Sequence, residues 1–307
     1  MMKRLISCVT SELQALSGKA LIEAIARSEG RVMVSETIGQ MTPLLTHITN
    51  AELAAAFGAD LIILNLFDLD QPMVQGLPEA RPGQTVIEQV RHLSGRLIGI
   101  NLEPTQPAQP GDPNPFRMTP GRIASAENAK KALAQGADFL VITGNPETGV
   151  DNPAILQALQ DIRQAVGEEL VLIAGKMHGS GVPAETAQDI ITKQAVLDFV
   201  AAGADVILLP APGTIPGITL ENIRDLVTAA HGAGALTMTA IGTSQEGADE
   251  ATIRQIALWC KMTGTDLHHI GDAGYLGLAL PENILAYSIA IRGIRHTYSR
   301  MAASIRR

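Results

Sequence analysis

One short phrase recurs four times along these 307 residues. A helix-like stretch ends in Gly-Ala-Asp or Gly-Thr-Asp, and an apolar run follows at once. The copies are Gly58-Ala59-Asp60 before LIILNLF, Gly136-Ala137-Asp138 before FLVITG, Gly203-Ala204-Asp205 before VILLPAP and Gly264-Thr265-Asp266 before LHHIG. Between them lie further apolar runs over 31–36, 96–103, 169–176 and 235–243. The eight runs are nearly continuous in apolar residues, as parallel strands covered on both faces must be. Each is followed by a helical pattern. An open doubly wound sheet also alternates strands with helices, but eight repeated units in an odd–even pairing favour closure. The expectation is an α/β fold, a (β/α)8 TIM barrel with an N-terminal helical extension, forming one domain over 1–307. Such a barrel uses about 250 residues, which leaves room for the extension over 1–30 and a proline-rich loop over 104–120. Leu13, Leu16, Leu21, Ile22 and Ile25 recur at helical spacing and predict one helix over 10–29 beneath the barrel.

Composition narrows the function. Hydrophobic residues at 46% can fill a large core. The formal net charge is −8, with no basic stripe interleaved with aromatics, which argues against a nucleic-acid partner. Arg292, Arg295, Arg300, Arg306 and Arg307 near the C-terminus are expected on a solvated or subunit-facing surface. Ile284, Leu285, Ile289, Ile291 and Ile294 would pack on the barrel or on a second copy, so a homo-oligomer is one expectation. Two cysteines make no disulfide framework. The opening MMKRLISCVTSELQ lacks a signal-peptide core, and no run approaches the roughly 20 apolar residues of a membrane span. A cytoplasmic protein with no membrane partner is expected.

In a barrel of this kind the chemistry sits where strands end. Lys176 closes the apolar run LVLIAGK. Partly desolvated, its amine has the chemistry to form a Schiff base with a carbonyl, or to hold a phosphate or carboxylate as a cation. His178 shares its parity. Glu36 follows Val32 and Val34, Asn101 and Glu103 share a parity, and so do Thr143 and Asn145. Near the eighth strand either His268 with Asp272, or His269, faces inward. Glu36, Glu103, Lys176 and His178 are the catalytic candidates, with Asn101 and Asn145 as substrate contacts.

The turns Gly242-Thr243-Ser244 and Gly271-Asp272-Ala273-Gly274 follow the seventh and eighth strands, where many barrels bind phosphate on uncovered backbone N–H groups. Asp272 would repel a phosphate unless a cation intervened. The acidic residues offer oxygen ligands for Mg²⁺ or another divalent metal, with Asp68 and Asp272 as candidates. Prolines at 104, 107, 110, 113, 115 and 120 exclude a helix or central strand there. That loop is expected to act as a stiff lid.

The stretch ADFLVITGNPETGVDNPAILQALQDIRQAV resembles one strand–helix–strand unit of BtpA-type barrels, and the ordering of elements resembles phosphate-binding TIM barrels. The whole chain also looks like a group of bacterial barrels that carry a phosphoenolpyruvate mutase-like label. The Lys-Lys-Cys-Gly-type gating motif of that mutase group is missing from this sequence, so the resemblance bears on fold. The expected function is an enzyme acting on a small phosphorylated or carboxylated carbonyl metabolite, of lyase, aldolase or isomerase type. The alternatives are a metal-dependent lyase or hydrolase and a non-catalytic metabolite-binding barrel.

Overall fold

The structure, a computed structural model, describes residues 3–106, 118–146, 149–179 and 189–307. Eight strands form the barrel: β1 (Val32–Ile38), β2 (Leu61–Asn65), β3 (Leu97–Leu102), β4 (Phe139–Ile142), β5 (Val171–Gly175), β6 (Val206–Pro210), β7 (Leu236–Ile241) and β8 (Leu267–Ile270). Every neighbouring pair is parallel, and β8 closes on β1.

Two short helices, α1 (Thr10–Gln14) and α2 (Gly18–Ala26), precede β1. The single helix expected over 10–29 is therefore two. Gly18 breaks it at a φ of +46°, where a side chain would also run into the Glu168 carbonyl. Each strand is then followed by a helix: α3 (Asn50–Ala56), α4 (Val86–Ser94), α5 (Ala126–Ala134), α6 (Asn152–Val166), α7 (Lys193–Ala201), α8 (Leu220–Gly232), α9 (Glu250–Thr263) and α10 (Pro281–Met301). Side-chain caps start all of them except α10, which Leu280 precedes with Pro281 in its first turn. Thr49 rather than Asn50 caps α3, and Asp151 rather than Asn152 caps α6, each accepting the N–H three residues on.

The core has two layers. Val32, Val34, Leu61, Ile63, Val171, Ile173 and Leu267 fill the barrel interior, and Leu5, Leu13, Leu21 and Ile25 of the N-terminal extension join them. The alternate residues Met33, Ile62, Leu172 and Ala174 pack outward against the helices. Gly99 stands at an inward position because the Phe139 ring occupies the space its Cβ would need.

The repeated phrase is a clamp. Asp60, Asp138, Asp205 and Asp266 open the even strands, and each carboxylate accepts a backbone N–H from the preceding odd strand. The donors are Met33 (2.8 Å), Ile98 (2.7 Å), Leu172 (2.8 Å) and Thr237 (2.8 Å). Each clamp also meets a basic side chain from the end of a helical segment of the preceding even unit: Arg91 on Asp138, Arg163 on Asp205, His231 on Asp266, and Arg292 on Asp60. The last pairing runs from α10 back to β2 and so completes the ring.

This corrects the expectation for the C-terminal arginines. Arg292 and Arg300 are buried on Asp60 rather than solvated, because the clamp at the closure seam needs cations and α10 supplies them. The helix kinks at Gly293, which has a φ of +73°, between the two arginines. Despite burial, Asp60 is held below the usual carboxylate range by Arg292 and Arg300.

Candidate active site

Continuing the interior rows upward gives the site. Past Val32 and Val34 comes Glu36; past Leu61 and Ile63, Asn65; past Leu97, Asn101 and Glu103; past Leu267, His269. Apolar residues line the barrel until the strands reach their C-terminal ends, where polar ones replace them.

Glu36 and His269 meet with Oε2 and Nε2 2.7 Å apart, both buried. The Asn65 amide donates to Asp272 Oδ2 at 2.8 Å, and the Asn101 amide donates to Asn65 Oδ1 at 3.2 Å. Asp272 is a side-chain hydrogen-bond partner of Glu36. Five side chains from β1, β2, β3, β8 and the β8 loop thus form one connected cluster. Glu246, on the short 3-10 turn after β7, adds a third carboxyl whose charge acts on Asp272 and His269.

Burial, with little help from cations, dominates the electrostatics. It pushes the Glu36 carboxyl up to about 7, and the charges of Glu246 and Glu103 add to the effect. Burial and the Glu36 charge push Asp272 up to about 7 as well. Both carboxyls are thus raised toward neutrality, the condition under which two carboxyls in contact share one proton. Burial holds the His269 imidazole down to about 4, so it is neutral and donates its Nε2–H to Glu36. Burial also raises Glu246. Among the described residues, three buried acceptors of the cluster have no hydrogen-bond donor: Asn101 Oδ1, Glu246 Oε2 and His269 Nδ1.

The sequence left the β8 register open, and His269 is the inward residue. His268 points outward to the Gly30 carbonyl (3.0 Å) and the Tyr287 ring. Asp272 still joins the site, because Gly271 ends the strand and its alternation.

Glu103 bonds Arg122 at 2.6 Å and takes the Asn145 N–H, which ties the β3 and β4 ends together; burial raises its carboxyl against the pull of Arg122. Lys176 is 1% exposed. It follows the helix-facing residues Leu172 and Ala174, and β5 stops at Gly175, where the Leu208 carbonyl leaves no room for a Cβ. His178 is half-buried, and burial lowers its pKa.

The glycine turns are brought together, with the Gly271 N–H on the Ile241 carbonyl at 2.8 Å. Several of their donors have partners within the chain. Thr243 Oγ1 donates to the Thr214 carbonyl at 2.8 Å, the Gly274 N–H donates to Asp272 Oδ1 at 2.8 Å, and the Ser244 N–H faces the Glu246 carboxyl. Ser244 is exposed, in the left-handed conformation. Asp68 lies in the β2 loop, its Oδ1 accepting the N–H groups of Asp70 and Gln71. Among the described residues no group of three or more His, Cys, Asp or Glu side chains is arranged to hold a metal ion. The expected proline lid over 104–120 falls largely on 107–117, outside the described residues. Among the described residues no helix is long and apolar enough to cross a membrane.

Asn65, Arg122 and Glu246 were not among the sequence candidates. Asn65 carried a signal, a polar residue ending the apolar run LIILN, which is the same rule that singled out Lys176.

A closed parallel barrel with its polar side chains gathered at the strand C-termini is the architecture typical of metabolic enzymes. Within that class, the chain belongs to the DUF7916 family, described as a domain of unknown function, whose model matches residues 6–307. No curated protein matches it. Among solved structures it is similar to an archaeal fructose-1,6-bisphosphate aldolase with the catalytic Lys covalently bound to the carbinolamine intermediate of the substrate. That likeness has 14% identity and a TM-score of 0.54, covering 89% of this chain and 100% of that one. A second structure of a Schiff base forming fructose-1,6-bisphosphate aldolase aligns at 15% identity and a TM-score of 0.53, over 88% and 98% of the two chains. A thiamine phosphate pyrophosphorylase from Pyrococcus furiosus aligns at 14% and 0.48, over 87% and 97%. The resemblance to phosphate- and metabolite-binding barrels therefore holds at the level of fold.

Proposed function

We propose that this protein is an enzyme that moves a proton beside the carbonyl of a small, hydroxyl-rich metabolite, in an isomerase or lyase reaction. The observation that carries the reading is the Glu36–Asp272 carboxyl pair beside His269. With one shared proton near neutrality, the pair holds a base and an acid at once. Glu36 takes the proton from the carbon next to the carbonyl, and Asp272 gives its own to the carbonyl oxygen, leaving an enediol. Glu36 then returns its proton to the former carbonyl carbon while the other enediol hydroxyl gives its proton to Asp272, which completes an isomerisation and restores the pair. In the lyase direction, Glu36 takes the proton of the β-hydroxyl, the bond between the α and β carbons breaks, and Asp272 protonates the enolate oxygen. His269 keeps the Glu36 carboxylate oriented by donating to it.

The three acceptors without donors support the substrate class. A buried polar group without its hydrogen bond costs about 1–3 kcal/mol. Substrate hydroxyls would supply the missing donors to Asn101, Glu246 and His269. The anionic end of the substrate would lie across the mouth, on the side of β5 and Lys176, because Asp272 and Glu246 repel it from the glycine turns. Asn145 and Glu103 line the same side. Schiff-base chemistry at Lys176, the mode of the aldolase of similar fold, is the second reading, favoured by the burial of that side chain. Mg²⁺ held by Glu36, Asp272 and Glu246 would instead lower the shared carboxyl titration, and indifference to Mg²⁺ is the outcome expected here.

The test is solvent exchange. Hydroxyaldehydes, hydroxyketones and their acids and phosphates are incubated with the protein in D₂O, and the C–H signal beside the carbonyl is followed by NMR. Wild type should erase that signal for one member, and Glu36→Gln should not. Binding with no exchange across the panel would sink the reading in favour of a non-catalytic binding barrel.

A further inference from the structure

The opposite end of the barrel carries a second concentration of charge. The chain before α1 and the last turns of α10 enclose an open cavity of about 490 Å³, lined by Arg4, Ser7, Arg295, His296, Arg300 and Arg307 among others. None of its lining residues is an Asp or Glu, although the whole chain has a net charge of −8. The nearby acids are used elsewhere, Glu12 by Lys3 and Glu29 by Arg31. The main-chain oxygen of Arg307 is turned to the Ser11 N–H at 2.8 Å. Among the described residues, Arg4 and Arg295 have no carboxylate within ion-pair distance.

The floor of the cavity is itself cationic. Arg300 is buried, donating to Asp60, to the Cys8 carbonyl at 3.2 Å and to the Leu5 carbonyl at 2.9 Å. Asp60 also serves Arg292 and feels Arg96, so one buried carboxylate faces three buried guanidiniums. The excess charge reaches His296, which burial and then Arg295, Arg31 and Arg4 hold below its ordinary pKa.

We infer that this cavity is a binding site for a small polyvalent oxyanion, of the phosphorylated-metabolite class, separate from the site at the strand C-termini. Guanidinium forks match phosphate oxygens two at a time, and the Ser7 hydroxyl adds a donor. The volume lies in the range of small-molecule sites. The lining holds no Phe, Tyr or Trp, so it offers no platform for stacking bases and is built for the anion itself.

Inorganic triphosphate is the probe, followed by calorimetry and thermal shift against sodium chloride at matched ionic strength. Wild type should bind one triphosphate saturably. The Arg4→Ala/Arg295→Ala double variant should bind about tenfold more weakly or worse. Its melting temperature without the probe should be unchanged, since both side chains are exposed and the contact of Arg295 with His296 Nε2, at 3.3 Å, is itself exposed. Arg295→Lys should restore part of the affinity, and Glu36→Gln at the other end of the barrel should leave it intact. No saturable binding in wild type, equal binding in the double variant, or binding lost with Glu36→Gln would each overturn the inference.

Discussion

His269 Nε2 lies 2.7 Å from Glu36 Oε2, across the seam where β8 closes on β1. The last strand therefore orients the side chain that the first contributes to the site, and the barrel must be closed for the pair to exist. The contact is buried, so it makes stability depend on pH. A carboxyl whose pKa is raised by folding stabilises the fold below its unfolded pKa and loses that contribution as pH rises through the folded value. For Glu36 the window runs from about 4.3 up to about 7. The buried histidines act in the opposite sense, losing stability as pH falls from about 6.5 toward their lowered values. Comparing Glu36→Gln with wild type isolates the carboxyl. The melting temperature of the variant should gain on wild type by several degrees between pH 5 and pH 8, and a constant difference would contradict the buried-acid assignment.

Asp272→Asn removes the carboxyl that hydrogen-bonds Glu36 while keeping an acceptor for the Asn65 amide. Glu36 loses a partner that lowers its titration and should then titrate higher. Carbon-13 NMR of the labelled side-chain carboxyls reads this directly. In the exchange assay the basic limb should persist while the rate at pH 7 falls about 100-fold, the scale of a lost general acid. An unmoved Glu36 titration would mean that the two carboxyls do not share a proton.

The four clamps should differ in cost. Asp60 faces three buried guanidiniums, so Asp60→Asn strands them and should cost about 3–5 kcal/mol. Asp138 has one cation, Arg91, and burial pushes its carboxyl up to about 6. Asn mimics its neutral form, so Asp138→Asn should cost only about 1 kcal/mol. By the same sign rule, that cost should shrink as pH rises from about 3.9 to about 6 and level off above. Urea unfolding of both variants at pH 5 and pH 8 checks the ranking, and equal costs would deny Asp60 its special place at the seam.

The repeated Gly-x-Asp phrase made the barrel legible because it is itself the structural device that joins each odd strand to the next even one. Local periodicity gave the helices as well, save where one residue overrode it, as Gly18 did in splitting the N-terminal helix. The site was legible wherever it obeyed strand parity, as Glu36, Asn101 and Glu103 do. Asp272 escaped that rule because a glycine ends β8 before it, and Glu246 because it sits on a short turn with no periodicity to read. Arg292 and Arg300 looked like surface charge because their partner, Asp60, is more than 200 residues away in sequence. No window along the chain brings them together.

Parity also bears on Lys176. The residues before it at even positions, Leu172 and Ala174, face the helices, and β5 ends at Gly175, whose close approach to the Leu208 carbonyl fixes the turn. Glu36 sits on β1, diametrically across an eight-stranded barrel from β5. A lysine there is better placed to hold the far, anionic end of a substrate than to attack a carbonyl beside Glu36. Lys176→Met should therefore raise KM about 10–100-fold, the loss of one charge-assisted contact of about 1.5–3 kcal/mol, and leave kcat within a few-fold. Borohydride added during turnover should leave the protein mass unchanged. A reduced adduct on Lys176, with kcat abolished in the methionine variant, would transfer the chemistry from the carboxyl pair to a Schiff base.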